Sequence, residues 1–454
     1  MADWASLPEM VLAKVFSYLP TYDRVYMGNV CTTWEDAACR PEVWEIFTFS
    51  EEYLFLSLGV DYFSGDNHQI TLDNVEGNVL KDIILSVIKN VGRYFKKVNI
   101  YYRSQSSNEI MSSIASYCTN IKALKVQRLK TNVQVVRNYE SSCKQSVWSI
   151  IQRNTKLSTI DLRDIDGYSI NNQKKLLPIS AAHSVCLTHL YLLQTFQECQ
   201  LGSLMYLVHL EELALGPHLL SYSLLHHLAG RSLRRLHIVA LDMHAEFYNE
   251  NLQNWQWAEI KKQGPQLRVH CHFGVGHEWT EREIILKREM PLESLVYSKY
   301  TPLVYRNLTD LICSYSNSLV EFIDYSFSYT SYEVDRSANY RKSVNKDLFQ
   351  IVDHCKHLKT LAVKETLYSG VILVMAFKNK NLQVLLMENQ VEYGFAFSHL
   401  ELNISSNDVD KILQACSTPC TFQNEFLVIT ERPWKFYLQH ELFDVLFRNH
   451  LKFI

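Results

Sequence analysis

The chain is poor in the residues that interrupt structure. Its 454 residues hold only 14 glycines and 10 prolines, so long flexible linkers are not expected. No stretch reaches the roughly 18 consecutive apolar residues that a membrane-spanning helix needs, and no membrane partner is expected. Neither sign of charge dominates: 45 Lys and Arg stand against 48 Asp and Glu, a net charge of −3. Without a basic excess, the electrostatic footprint of a nucleic-acid-binding protein is missing. Cysteine is present but unorganised. Eleven is an odd number without framework spacing, which points to reduced thiols in the cytoplasm or nucleus. Met1-Ala2-Asp3 opens acidic and runs straight into an apolar pattern, so no secretory leader is expected.

Catalytic signatures are also lacking. There is no Gly-rich phosphate loop, no nucleophile elbow and no paired acid–base motif, so neither an enzyme nor a cofactor is expected. His270-Cys271-His272 with His277 comes nearest to a metal set. Its spacing fits no standard zinc site, and on a strand Cys271 would face away from His270 and His272. An active-site cysteine would need an activated thiol, and no sequence feature marks one of the eleven. What the chain does have is apolar content, 47% hydrophobic and 12% aromatic, enough to fold throughout.

The first 44 residues carry the sharpest pattern. Pro8 suits a first helical turn, and Met10, Val11, Leu12, Val15, Phe16 and Leu19 follow at helical spacing. Pro20 ends that helix. Thr21 is expected to N-cap a second, with Asp23 in its first turn and Gly28 inside it. Trp34, Ala37 and Ala38 form a short third segment, and Pro41-Glu42-Val43-Trp44 closes the unit. So short a piece cannot bury two tryptophans alone, so part of its apolar surface is expected to meet a partner. The alternative is a helical hairpin packed on its own domain.

Leu7, Pro8, Val15, Phe16, Leu19, Pro20, Val30, Cys31, Trp34 and Trp44 stand at the positions that define the F-box, which residues 4 to about 48 resemble. Thr32-Thr33 departs from it, where a basic residue commonly follows Val-Cys. The resemblance implies docking on the Skp-type adaptor of a cullin–RING ubiquitin ligase. Leu7, Pro8, Val11, Val15, Phe16, Leu19 and Trp34 would then be the adaptor-binding or packing residues.

From residue 95 a phrase recurs: apolar, two variable, apolar, one variable, apolar. Clear copies are Ile121-Lys-Ala-Leu124-Lys-Val126, Leu157-Ser-Thr-Ile160-Asp-Leu162, Leu187-Thr-His-Leu190-Tyr-Leu192, Leu210-Glu-Glu-Leu213-Ala-Leu215 and Leu233-Arg-Arg-Leu236-His-Ile238. Leu358-Lys-Thr-Leu361-Ala-Val363 and Leu382-Gln-Val-Leu385-Leu-Met387 come later, and weaker copies begin at Phe95, Leu267, Leu292 and Leu319. The phrase suits a short strand with alternate residues inward. Helical stretches lie between, as at Ile83–Val91, Ile110–Cys118 and Leu348–Cys355. Strand, turn and helix repeating every 23 to 39 residues is the leucine-rich-repeat pattern, whose units must stack to bury their apolar faces. Cys118 and Cys355 stand three before their phrases, which resembles the cysteine-containing repeats common downstream of F-boxes. The alternative, a doubly wound α/β domain, would need an unusually wide sheet for eleven strands.

The expected fold is therefore α/β: a three-helix F-box over 1–48, a connecting segment over 49–79, and a leucine-rich-repeat solenoid over 80–454 with a parallel concave sheet and outer helices. The rhythm breaks at 239–265, where Trp255, Trp257 and Ile260 suggest a helix, and at 325–347, where a polar-aromatic loop is expected. Residues 257–269 are similar to a stretch of an F-box-only family member. Phe426–Ile429 reads as a last strand and Phe443–Phe447 as a capping helix.

The implied function is the substrate receptor of a Skp–cullin–F-box ubiquitin ligase, with the adaptor, cullin and RING subunit and an unidentified protein substrate as partners. The alternative is an adaptor-binding scaffold that ubiquitylates nothing. Residues flanking the middle apolar position of each phrase should face the substrate. Lys125, Asp161, Tyr191, Glu212, Arg235 and His237 are the candidates.

Overall fold

The computed structural model describes residues 4, 7–51, 75–102, 107–128, 140–163, 179, 181–193, 201–240, 252–274, 285–297, 309, 312–324, 338–363, 367–387, 391, 393 and 405–430. The chain divides into two compact units, Met1–Leu213 with Arg231–Leu233, and Ala214–Gly230 with Arg234–Ile454.

Unit 1 opens with three helices: α1 (Glu9–Ser17), α2 (Thr21–Met27) and α3 (Thr32–Ala38), followed by a 3-10 turn at Pro41–Trp44. Pro8 precedes α1 and Glu9 sits in its first turn, where the helix dipole favours an acid. Leu12, Ala13 and Phe16 are buried on the inner face, and Trp34 packs on Phe16 at 5.0 Å between ring centroids. Two local expectations are corrected. Thr21 is the first residue of α2 and makes no cap bond; its hydroxyl instead accepts the Thr48 N–H at 3.0 Å. Gly28 lies at the end of α2, not within it, so its poor helix propensity falls where it costs little.

The strands follow immediately. β1 (Ile46–Ser50), β2 (Lys97–Tyr102), β3 (Ala123–Arg128), β4 (Thr159–Arg163) and β5 (His189–Leu193) pair in parallel, each with the next in the chain. β1 was not foreseen, and the expected boundary at residue 48 falls inside it. Each strand entrance repeats one device, a single carbonyl taking two N–H groups from the next strand. Glu45 O accepts from Lys96 and Lys97, Lys96 O from Lys122 and Ala123, Lys122 O from Ser158 and Thr159, and Ser158 O from Thr188 and His189. Helices α4 (Val75–Val91), α5 (Ser107–Tyr117) and α6 (Glu140–Arg153) connect the strands. Ile84 and Ile88 of α4, Ile110 and Ile114 of α5 and Val147 and Ile150 of α6 are buried with the inward strand residues. Each such side chain contributes roughly 1.5–3 kcal/mol.

β6 (Glu212–Leu215) contains the point where the chain leaves unit 1. Unit 2 holds β7 (Arg235–Ala240), β8 (Arg268–Phe273), β9 (Leu292–Tyr297), β10 (Glu321–Asp324), β11 (Thr360–Val363) and β12 (Val384–Met387), again parallel and in chain order. The carbonyl device recurs, Val320 O taking Lys359 and Thr360, and Lys359 O taking Gln383 and Val384. All eleven phrases thus fall on or open into strands, as a leucine-rich-repeat array requires. Helices of this unit are α7 (Tyr222–Ala229), α8 (Asn254–Gln263), α9 (Ala338–His354), α10 (Ser369–Lys378), α11 (Ser406–Ala415) and α12 (Pro419–Thr430). α8 is the helix expected at the break in rhythm, with Trp257 and Ile260 buried. The strand expected at Phe426–Ile429 is instead part of α12. Phe422, fully buried, packs on Phe426 one turn on, a helical spacing that outweighs the β propensity of a short Val-Ile run. The loop expected within 325–347 and the cap at Phe443–Phe447 lie outside the described residues, apart from the α9 portion.

Candidate functional site

α1 is apolar on two sides. Leu12, Ala13 and Phe16 fill the inside, while Met10, Val11, Val15 and Tyr18 remain 70%, 45%, 39% and 76% exposed. Val11, Val15 and Tyr18 lie at i, i+4 and i+7 and so share one stripe. Lys14 reaches over the Tyr18 ring at 5.0 Å. Pro8 is exposed, Leu7, Leu19 and Trp34 are half-buried, and Phe16 belongs to the core. The sequence candidates therefore split into surface residues, Pro8, Val11 and Val15, and packing residues led by Phe16. Tyr18 is a surface residue that sequence reading passed over, although its i+7 spacing from Val11 was visible.

A further missed residue holds this stripe in place. The buried Arg24 donates to four carbonyls: Leu19 O at 2.6 Å, Val43 O at 2.8 Å, Ile46 O at 2.7 Å and Ser17 O at 3.1 Å. Burial lowers its pKa from the ordinary arginine value, yet a guanidinium stays charged and can satisfy several acceptors with one planar fork. With Tyr22 donating to Ser50 O at 2.8 Å, it ties the helices to β1.

The strand face opposite the helices is the second candidate surface. In unit 1, one ladder row aligns Thr48, Asn99, Lys125, Asp161 and Tyr191. Asn99 donates to Thr48 Oγ1 at 3.0 Å, Arg163 grips both oxygens of Asp161 at 2.8 and 2.9 Å, and Tyr191 donates to Glu212 at 2.7 Å. Asp161 and Glu212 are 7% exposed each. In unit 2, Arg235 is exposed and His237 buried. The fold thus brings Lys125, Asp161, Tyr191 and Glu212 onto one surface of unit 1, while Arg235 and His237 belong to unit 2.

His237 stacks on His270 at 4.7 Å and on His272 at 5.7 Å, and Cys271 points into the core on the other face. No group of three or more His, Cys, Asp or Glu side chains placed to hold a metal occurs among the described residues; His277 lies outside them. The ten described cysteines are free. Burial pushes the Cys118 and Cys355 thiols up to about 12 and Cys143 to about 11, opposite to what a nucleophile needs. Among the described residues no helix is long and apolar enough to cross a membrane.

Residues 4–50 match the F-box-like family model. The chain carries an F-box-like segment ahead of parallel strands that follow the leucine-rich-repeat pattern. F-box/LRR-repeat protein 21 of Mus musculus and of Bos taurus are each 23% identical over 378 residues, 80% of this chain and 77% of the relative. The Ovis aries protein of the same name is 24% identical over the same span. The matched F-box-like segment ends on Ser50, the last residue of β1.

Proposed function

We propose that this chain is the substrate-receptor subunit of a Skp–cullin–F-box ubiquitin ligase. The observation that carries the reading is the exposed apolar stripe on α1, Val11, Val15 and Tyr18, within the F-box-like segment. Contiguous exposed apolar surface marks a binding site, and in this domain type the partner is a Skp-type adaptor, through which cullin and RING subunits are reached. The repeat array holds a protein substrate by its strand face. The chain supplies proximity and no bond chemistry: it raises the effective concentration of substrate lysines near the charged conjugating enzyme. The cytoplasm or nucleus is the matching compartment, and the docking helices lead directly into β1, the first strand of the holding array.

The test is co-purification of the full-length chain with a Skp-type adaptor and cullin, beside Val11→Asp/Val15→Asp. Both positions are exposed, so the fold is spared, whereas Phe16→Ala would cost about 3–5 kcal/mol of core and confuse the result. Capture of both partners by the native chain is expected, with adaptor affinity about 100-fold weaker in the double variant. Equal capture by the variant overturns the docking face. Adaptor without cullin would favour the scaffold reading instead.

A further inference from the structure

Exposure along the outward strand face is uneven in both units: in unit 1 it is concentrated on β1, β2, β3 and β5, and in unit 2 it is retained at Arg235, His270 and Glu321. In unit 2 the outward residues His272, Ser294, Val296, Ile323 and Ala362 are at most 2% exposed. In unit 1 the outward Thr48, Asn99, Tyr101, Lys125 and Tyr191 stay half-buried, and Lys97 is fully on the surface.

The charges there are not balanced by one another. The outward carboxylates of β4 and β6 are engaged, Asp161 by Arg163 and Glu212 by Tyr191. Lys97 of β2 and Lys125 of β3 are not so paired. Lys97 and Lys125 have no carboxylate within ion-pairing distance among the described residues, and the Lys125 ammonium rests over the Tyr101 ring at 5.1 Å. Burial, then Arg163 and Lys97, pull the Lys125 pKa below its ordinary value against an opposing pull from Asp161. A half-buried ammonium whose nearest carboxylate is already gripped by Arg163 is costly, and an incoming anion relieves that cost. The flanking hydroxyl and amide groups of Thr48, Asn99, Thr159 and Tyr191 suit hydrogen bonding to an extended chain.

We propose that the open strand face of unit 1, centred on Lys125 and Lys97, docks an extended Asp/Glu-rich segment of the partner protein. This rests on the receptor reading above and names the chemistry of what the receptor holds.

The experiment uses the full-length chain and short fluorescent peptides of four kinds: Asp/Glu-rich, phosphoserine-bearing with neutral flanks, Lys/Arg-rich and uncharged. Fluorescence anisotropy should show the acidic peptides binding best, with affinity falling as salt rises. Lys97→Gln/Lys125→Gln should weaken that binding about tenfold, Lys125→Arg should retain it, and Lys261→Gln, at an exposed position of α8, should leave it unchanged. Unaltered melting of the variants keeps the comparison clean; if the double variant unfolds, Lys97→Gln alone, at an exposed position, reads the same contact. Preference for phosphoserine, basic or uncharged peptides overturns the proposal, as does acidic binding that ignores the lysines, or none at all. Adaptor capture is measured on the same samples. Adaptor capture without acidic-peptide binding sinks this inference alone, while acidic-peptide binding without adaptor capture sinks the receptor reading and leaves the surface standing.

Discussion

At the scale of the residue, burial decides chemistry more than identity does. Cys118 and Cys355 have the same thiol as the exposed Cys420, yet both are fully buried. Desolvation disfavours the thiolate, and their pKa values rise from 9.0 to about 12. At pH 8 the reactive thiolate is then about one part in ten thousand, against roughly a tenth for an unshifted thiol. Iodoacetamide at pH 8 should label Cys420 in the native protein and leave Cys118 and Cys355 unmodified, with all three reacting in denaturant; peptide mass mapping reads this directly. Native labelling of Cys118 at a rate matching Cys420 would contradict the buried placement. The linkage sign follows. The folded state favours the protonated thiol, so its stabilising effect is complete below the unfolded value near 9 and is lost as pH rises through about 12. Both cysteines were legible from the sequence because each stands three before a phrase. Arg24 was not, since its partners are carbonyls of Ser17, Leu19, Val43 and Ile46, and a carbonyl leaves no trace in the residue it belongs to.

At the scale of the element, the repeat was readable because one apolar phrase marks every strand. In most copies the first apolar residue precedes the strand by two, as Ile121 does β3 and Leu358 does β11, and is itself buried in the turn. What holds those turns was less visible. Asn154, directly after α6, accepts the Ile121 N–H at 2.9 Å and donates to Cys118 O at 3.0 Å and Ile150 O at 2.8 Å. Asn379, directly after α10, serves the corresponding place near Cys355 O at 3.1 Å. A lone Asn after an amphipathic stretch looks like any helix end, so its bridging role emerges only when neighbouring repeats are stacked. Asn154→Ala removes all three bonds and leaves a buried N–H and carbonyl unpaired, a loss of about 2–4 kcal/mol. Asn381→Ala, which removes an exposed bond to Lys356 O, should cost under about 1 kcal/mol. Urea unfolding followed by circular dichroism compares the two; equal losses would show that the buried bridge carries no special weight. β1 escaped notice for a different reason. Trp44-Glu-Ile-Phe47-Thr-Phe49 has the spacing of the later copies, with Trp44 two before the strand, but Trp44 had already been assigned to the F-box motif, so the phrase was not counted. α12 was misread because four apolar residues in a row carry no period of their own.

At the scale of the whole chain, the F-box-like segment and the first strands are one construction within unit 1. Arg24 to Ile46, Thr48 to Thr21 and Tyr22 to Ser50 are hydrogen bonds between the helices and β1. Phe47 stacks on Phe95 at 4.6 Å and an interplanar angle of 11°, with Trp44 at 6.4 Å from the same ring. Phe95, Val98 and Ile100 are fully buried behind this cover. No hinge separates the exposed stripe of α1 from β1, so whatever α1 docks on is held in fixed relation to the strand face that begins at β1. The same continuity determines where the chain tolerates cutting. A variant starting at residue 52 loses β1, lays open the edge of β2 and uncovers Phe95; a bare strand edge beside apolar surface invites association. One starting at residue 41 keeps Trp44 and β1 and loses only α1, α2 and α3. Light scattering after size exclusion should therefore find the shorter truncation monomeric and the longer one aggregated. If the variant from residue 52 were monomeric with an unchanged far-UV spectrum, β1 would be an appendage of the helices and not the first strand of the array, and the fixed relation between docking stripe and strand face would fall with it.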